Sequence, residues 1–252
     1  MEIRHPANRH IGALRELWKI AFGDPDDFLD IFFRCAYASD RCRCILVEDN
    51  PAAVLYWFDC DLQGQKTAYI YAVATHPDFR GRGFCRMLME DTHTLLKARG
   101  YDSAILVPQK ESLRKMYAGM GYRDVGGLEK FSCEAGAHAL PVRTIDAAEF
   151  ASLRRKLLPE GSVLQEGENL DFLAAQLQFF AAESCLMAAW EEKDTLHAME
   201  FLGSRDLVPG ILKALGFARG TVRLPGNAIP FAMFHPLTET AVRPQYFGFA
   251  FD

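Results

Sequence analysis

The sequence predicts an α+β protein whose mixed, mainly antiparallel sheet is flanked by helices. Three observations predict it. Apolar residues fill 50% of the 252 positions, enough to bury a core. Their spacing switches between the helical and the strand period, with strands grouped in a row between helices. A β-type run, Tyr69–Thr75, also passes through a short basic loop, Arg80-Gly81-Arg82-Gly83, directly into an amphipathic helix carrying Phe84, Met87, Leu88 and Leu95.

The elements follow in order. Glu2–Arg4 is a short first strand. Ile11, Leu14, Leu17, Trp18 and Phe22 recur at helical spacing and give a first helix, which Gly23 ends. Asp24 and Pro25 open a second helix as N-cap and first helical residue. Its apolar face holds Phe28, Leu29, Ile31, Phe32 and Phe33 and reads as core. Cys44–Val47 and Ala52–Phe58 are strands around the turn Glu48-Asp49-Asn50-Pro51, and Thr67–Thr75 is a third strand after a turn at Gly64. The helix after Gly83 runs to Arg99, with Gly100 as its C′ residue. Ala104–Val107 is a buried strand ended by Pro108, Glu111–Met120 is a helix ended by Gly121, and Val125–Cys133 returns as strand.

A small-residue stretch, Glu134–Pro141, reads as a linker. Beyond it helices are expected around Ala147–Leu158 and Leu170–Ala182, then strands near Cys185–Trp190 and Leu196–Leu202, and a helix over Asp206–Leu215. Tyr117-Ala-Gly-Met-Gly121-Tyr122 and Leu212-Lys-Ala-Leu-Gly216-Phe217 both end an amphipathic helix with glycine and an aromatic residue before a strand. That likeness reads either as a partial internal repeat or as an ordinary C-cap arrangement. The alternating ending, Gln245–Asp252, suits a final strand.

Bulk properties narrow the function classes. A formal charge of −5 gives no basic excess for nucleic acid, and no apolar run is long enough to span a bilayer. MEIRHPANRH has neither an apolar h-region nor a cleavage pattern, so no signal peptide is expected. Seven scattered cysteines then read as reduced thiols of a cytoplasmic protein. Cys42-x-Cys44 lacks two further ligands, so no metal site is expected.

The loop between strand and helix carries the chemistry. Unpaired N–H groups of a first helical turn point at an anion, and the helix dipole adds partial positive charge. Gly81 and Gly83 let the backbone come close, and Arg80 and Arg82 add full charges. A Walker-type loop is excluded because no G-x-x-x-x-G-K-[S/T] occurs, and Gly81-x-Gly83 lacks the third glycine of a dinucleotide fingerprint.

Set between strand and helix, Arg80–Cys85 resembles the acetyl-CoA signature [R/Q]-x-x-G-x-[G/A] of the GNAT superfamily of N-acetyltransferases. Arg80 and Gly83 match, and Cys85 stands where Gly or Ala is usual. Val73-Ala-Thr-His-Pro77 is similar to the end of that family's fourth strand, and the element order over Met1–Cys133 is that of its fold. The resemblance implies that Arg80, Gly81, Arg82, Gly83, Phe84 and Cys85 bind the pyrophosphate of acetyl-CoA, and that backbone groups of Val73, Ala74 and Thr75 meet its acetyl-pantetheine end. Tyr117 matches the tyrosine of the family's F-Y-x-x-x-G-[F/Y] pattern, with Met116 in place of Phe. A phenol titrating near ~10 can hydrogen-bond a thiolate whose thiol titrates near ~8.5, so the resemblance implies Tyr117 as donor to the leaving sulfur. The family also shapes its acceptor pocket with the second helical region, which gives Phe28–Phe33 a wall role as the alternative to core. The general base is left open among His76, the strand tyrosines Tyr69 and Tyr71, and water.

The layout also resembles two-domain bacterial members of the family, with a catalytic domain over residues 1–135 and a degenerate, smaller GNAT-like domain over 141–252. The second unit has no Arg-x-x-Gly loop and so no acetyl-CoA is expected there. In some relatives the chain end reaches the first active site, which would bring Asp252 near the chemistry; a plain terminal strand is the other reading. The expected activity is transfer of acetyl to the amine of a small molecule or peptide. The alternatives are a non-catalytic acyl-CoA-binding module, and a different acyl donor such as a charged tRNA. Apolar strands of the second half either mediate a homodimer or pack on the first half.

Overall fold

Tight turns decide which of the early strands lie side by side. A computed structural model describes residues 1–250 of the chain. Strand β1 (Glu2–Arg4) leads through helices α1 (Ile11–Phe22) and α2 (Asp26–Cys35) to a meander of β2 (Cys42–Val47), β3 (Asn50–Leu62) and β4 (Gln65–Thr75). Glu48 and Asp49, at φ 51° and 62°, make the first hairpin turn, and Gln63 and Gly64, at 54° and 82°, make the second. Paired left-handed residues suit hairpins because their twist matches that of the flanking strands. Helix α3 (Phe84–Ala98) then crosses to β5 (Ser103–Leu106), which lies parallel to β4, and α4 (Glu111–Ala118) leads to β6 (Arg123–Glu134).

The second half runs β7 (Arg143–Ile145), α5 (Ala147–Leu157), the short β8 (Leu164–Gln165), α6 (Glu168–Ala174), β9 (Gln178–Ala182), β10 (Cys185–Glu192), β11 (Thr195–Leu202), α7 (Val208–Leu215), β12 (Arg219–Pro225) and β13 (Ile229–Pro236). All these strands join one 13-stranded sheet, in the order β1-β2-β3-β4-β5-β13-β6-β12-β11-β10-β9-β7, with β8 paired to β3 off that path. The α+β class, with a mixed and mainly antiparallel sheet flanked by helices, is therefore the observed one.

The pairing pattern occurs twice. β1, β2, β3 and β4 pair antiparallel in turn and β4 pairs parallel with β5; β7, β9, β10 and β11 pair antiparallel in turn and β11 pairs parallel with β12. Two helices separate the first two strands of each set, and one helix separates the last two. The counterpart of α7 is thus α3, not α4. This corrects the alignment drawn from the sequence: Lys97-Ala-Arg-Gly100-Tyr101 corresponds to Lys213-Ala-Leu-Gly216-Phe217. Gly100 and Gly216 both stand just past their helices at positive φ, 76° and 82°, the left-handed stop that glycine allows.

The halves are interlocked by their last strand. β13 lies between β5 and β6, with Phe234 opposite Ile105 and Ala232 opposite Val125. Both faces of the sheet are covered, so β3 is buried nearly throughout. Tyr56 and Phe58 face α1 and α2 with Trp18 and Phe32, while Leu55 and Trp57 face α3 with Leu88 and Leu96. Each such side chain stabilises the fold by roughly 1.5–3 kcal/mol.

Two expected elements differ. Leu170–Ala182 is not one helix: α6 stops at Ala174 and β9 begins at Gln178. Phe179 and Phe180 there pack into different cores on opposite faces of the sheet. Gln245–Ala250 is not a strand but irregular chain, buried from Tyr246 onward, with a single bridge, Tyr246 to Ser162. Gln165 Nε2 donates to the Phe249 carbonyl, and Tyr246 Oη donates to Glu200 Oε1 at 3.0 Å. Glu200 in turn pairs with the buried Arg154 at 2.6 and 2.9 Å. Phe251 and Asp252 lie outside the described residues. Among the described residues no helix is long and apolar enough to cross a membrane, no group of His, Cys, Asp and Glu is placed to hold a metal, and the seven cysteines are unpaired.

Candidate active site

The site grows out of a fault in β4. Between Val54 and Tyr56 of β3 the register with β4 slips, since Val54 faces Ala74 but Tyr56 faces Tyr71. Ala72 sits in the bulge at φ 48°, a left-handed conformation that a non-glycine residue adopts at a cost. On its other edge β4 pairs with β5 only as far as Tyr69 opposite Ile105. Past that point the two strands part, and a cavity of about 260 Å³ opens between them. Val73, Leu113 and Tyr117 line it on the α3 and α4 side, and Trp18, Phe28, Tyr71 and Val107 on the side of α1 and α2. The opening therefore runs through the sheet from one face to the other.

Beside this opening β4 delivers the basic loop. Val73 lines the cavity, Ala74 is buried against Val54, and the Thr75 carbonyl accepts from Arg80 Nε at 3.1 Å. His76 is a turn residue, its Nδ1 accepting from the Asp78 amide at 3.3 Å. Gly81 and Gly83 stand at φ 74° and 78°, and a Cβ on either would meet nothing within 4 Å. Their freedom is needed for the backbone path, with open space above it. Arg80, Gly81, Arg82 and Gly83 are exposed; the Arg82 guanidinium lies 5.2 Å from the Phe79 ring, which stacks on Phe84.

Gly83 is the N-cap of α3 and no side chain caps it; the first intrahelical bond is Met87 N–H to the Gly83 carbonyl at 3.0 Å. The amides of the preceding residues in that turn have no intrahelical acceptor. Cys85 is half-buried in this turn, and burial pushes its thiol up to about 11, so it is a small neutral group at neutral pH. Arg86 donates to the Gly119 carbonyl at 3.2 Å and ties α3 to the end of α4.

Tyr117 on α4 is 6% exposed and shares a core with Phe84 and Leu88. Burial, with the Cys85 sulfur adding, raises its phenol far above the ordinary range, so it keeps its proton. Tyr71, across the opening, is likewise held protonated by burial, with the Asp24 carboxylate adding. Of the residues singled out in the sequence, Val73 and Tyr117 line the opening, and Phe84 and Cys85 at the start of α3 pack in the same core as Tyr117, while Ala74, Thr75 and the Arg80–Gly83 loop lie outside the lining. The aromatic face of α2 divides: Leu29 and Phe32 are core, and Phe28 lines the cavity.

Asp24 is the residue sequence reasoning missed here. Helix α2 begins at Asp26 with Pro25 as its N-cap, so Asp24 does not cap it. Its Oδ2 instead accepts from Trp18 Nε1 at 2.8 Å, and it lines the cavity. The aspartate following Gly23, six residues after a helical tryptophan, was the available signal.

Residues 2–125 match the family model of the acetyltransferase (GNAT) domain. The chain belongs to the GNAT family of acyltransferases. No curated protein matches it. Among solved structures, a GCN5-related N-acetyltransferase from Kribbella flavida superposes with a TM-score of 0.70 at 16% identity, covering 94% of this chain and 72% of that one. A putative acetyltransferase from Pyrococcus horikoshii gives 0.66 at 14% identity, covering 98% and 93%. A tandem GNAT protein from the clavulanic acid biosynthesis pathway gives 0.57 at 11%, covering 95% and 99%. At these identities the likeness is one of fold, and it extends over both halves of this GNAT protein.

Proposed function

We propose that this GNAT protein is an acetyl-CoA-dependent N-acetyltransferase that joins donor and amine in a ternary complex. The observation that carries the reading is the side-chain-free N-terminus of α3, opening beside a cavity that holds Tyr117. A pyrophosphate fits this turn: its amides lack acceptors, Gly81 and Gly83 leave the approach open, and Arg80 and Arg82 stand exposed beside it. Phe84 and Cys85 supply amides of the same turn. The backbone of Val73, Ala74 and Thr75, freed from β5, is positioned for the pantetheine arm, and the bulge at Ala72 turns backbone toward the opening.

Acetyl-CoA supplies an activated acyl carbon and a thiolate leaving group. The amine nitrogen forms the N–C bond as the C–S bond breaks. Of the three protons on the incoming ammonium, one stays on the amide, one ends on sulfur and one goes to solvent. Tyr117, kept protonated by its burial, donates a hydrogen bond to the departing sulfur. The acceptor is the amine of a small molecule or a peptide. The repeated pairing pattern supports two units, 1–135 catalytic and 141–252 without a donor site, exchanging β13.

Calorimetric titration with acetyl-CoA tests the reading. Wild type is expected to bind one equivalent, Arg80→Ala to bind at least tenfold more weakly, and Gly83→Asp, which sets a carboxylate against the phosphates, not to bind. A wild type that does not bind acetyl-CoA would end the acetyltransferase reading. Binding without acetylation of any amine in a broad screen would favour an acyl-CoA-sensing module instead.

A further inference from the structure

The acceptor end of the cavity has a definite chemistry. Its walls there are aromatic, with Trp18, Phe22, Phe28, Tyr69 and Tyr71, and the charged side chain lining it is Asp24. The nearby cations of α1 are engaged elsewhere: Arg15 pairs with Asp30 at 2.7 Å and Asp26 at 3.3 Å, and Lys19 pairs with Asp26 at 2.7 Å. Among the described residues no Lys or Arg forms an ion pair with Asp24. The Trp18 indole N–H holds Oδ2 at 2.8 Å, which fixes the carboxylate and leaves its second oxygen open to a ligand. A fixed carboxylate within an aromatic enclosure attracts a cation twice, by charge and through the ring faces.

We propose that Asp24 is the acceptor-recognising residue, and that it selects a small hydrophobic monoamine in its ammonium form, an aromatic or branched aliphatic body bearing one cationic nitrogen. The proposal rests on the acetyltransferase reading and adds the substrate class to it. One carboxylate balances one positive charge, so a polyamine would carry uncompensated charge against aromatic walls. An amino acid would bring its own carboxylate against Asp24 and be repelled. The aromatic walls reward an apolar body, which favours phenethylamine over ammonia or methylamine.

The test uses phenethylamine, L-phenylalanine and spermidine as probes on wild type and Asp24→Asn, the asparagine oxygen still accepting from Trp18. Amine binding is measured by calorimetry with CoA present and absent, acetyl-CoA binding separately, and KM from thiol release. Wild type is expected to prefer phenethylamine to both other probes by tenfold or more in kcat/KM. Asp24→Asn is expected to bind phenethylamine roughly tenfold or more weakly, with KM raised and acetyl-CoA affinity unchanged. Unchanged phenethylamine affinity in the variant, or a wild-type preference for phenylalanine or spermidine, would overturn the assignment even if acetyl-CoA binds normally. Phenethylamine bound by wild type but not by the variant would sustain Asp24 as the cation site even if acetyl-CoA failed to bind.

Discussion

Phe247 stands edge-on to Tyr69, their ring centroids 4.8 Å apart at 63°. The contact joins the last described stretch of the chain to a strand residue that lines the cavity. Phe247 is 1% exposed, so Phe247→Ala is expected to cost about 3–5 kcal/mol of stability. It should also raise KM for the amine more than it changes acetyl-CoA affinity, because Tyr69 belongs to the acceptor wall. Urea unfolding and steady-state kinetics check the two halves of the prediction. A loss below ~1 kcal/mol would mean that the tail is peripheral.

Truncation after Cys133 is expected to leave no folded domain. It removes β13 from between β5 and β6 and so opens two strand edges in the middle of a sheet. It also strips Phe172, which lies 6.0 Å from the Tyr71 ring and 5.5 Å from Phe28, off the back of the cavity. The truncated chain should bind a hydrophobic dye and aggregate, as seen by fluorescence and size exclusion. A monomeric, fully active 1–133 fragment would refute any contribution of the second half.

What could be read from the sequence depended on whether the local pattern decided the local structure. The first half was legible because positive-φ glycines and hairpin pairs punctuate it, and because β4, loop and α3 are contiguous in sequence. Tyr117 was singled out by its motif, and it lines the opening. Leu170–Ala182 misled because Phe179 and Phe180 are buried on opposite faces, which erases the alternation that marks a strand. Gln245–Ala250 misled the other way: it alternates, yet buried side-chain anchors at Gln165 and Glu200 hold its chain where a ladder was expected. The insertion of β13 had no local signal, since partner choice in a sheet is set by distant strands. Asp24 looked like a cap until the geometry of Trp18 placed it.

Tyr117→Phe removes one hydroxyl from a buried ring. Packing against Phe84 and Leu88 is kept, so the fold and acetyl-CoA affinity should be unchanged. If the phenol donates to the departing sulfur, kcat should fall roughly 10- to 100-fold with KM for the amine little altered. Single-turnover thiol release would report the step directly. Full activity in the variant would move the donor role to another group.

His93 on α3 and His235 on β13 stack with centroids 4.4 Å apart, and His93 Nε2 bonds to the Tyr122 hydroxyl at 2.8 Å. Burial, with His235 adding, depresses His93 to about 3 in the fold, and burial lowers His235 as well. In the unfolded chain a histidine protonates near ~6.5. The unfolded state therefore binds more protons than the fold between pH 6.5 and about 3, and stability is complete above that window and lost as pH falls through it. His93 alone should remove about 1 kcal/mol by pH 5.5. His93→Gln preserves a partner for Tyr122 but does not titrate, so its unfolding free energy should fall less steeply between pH 7.5 and 5.5 than that of wild type, by about 1 kcal/mol over that interval. Urea titrations at both pH values measure the difference, and parallel wild-type and variant curves would show that the stacked pair does not set acid stability.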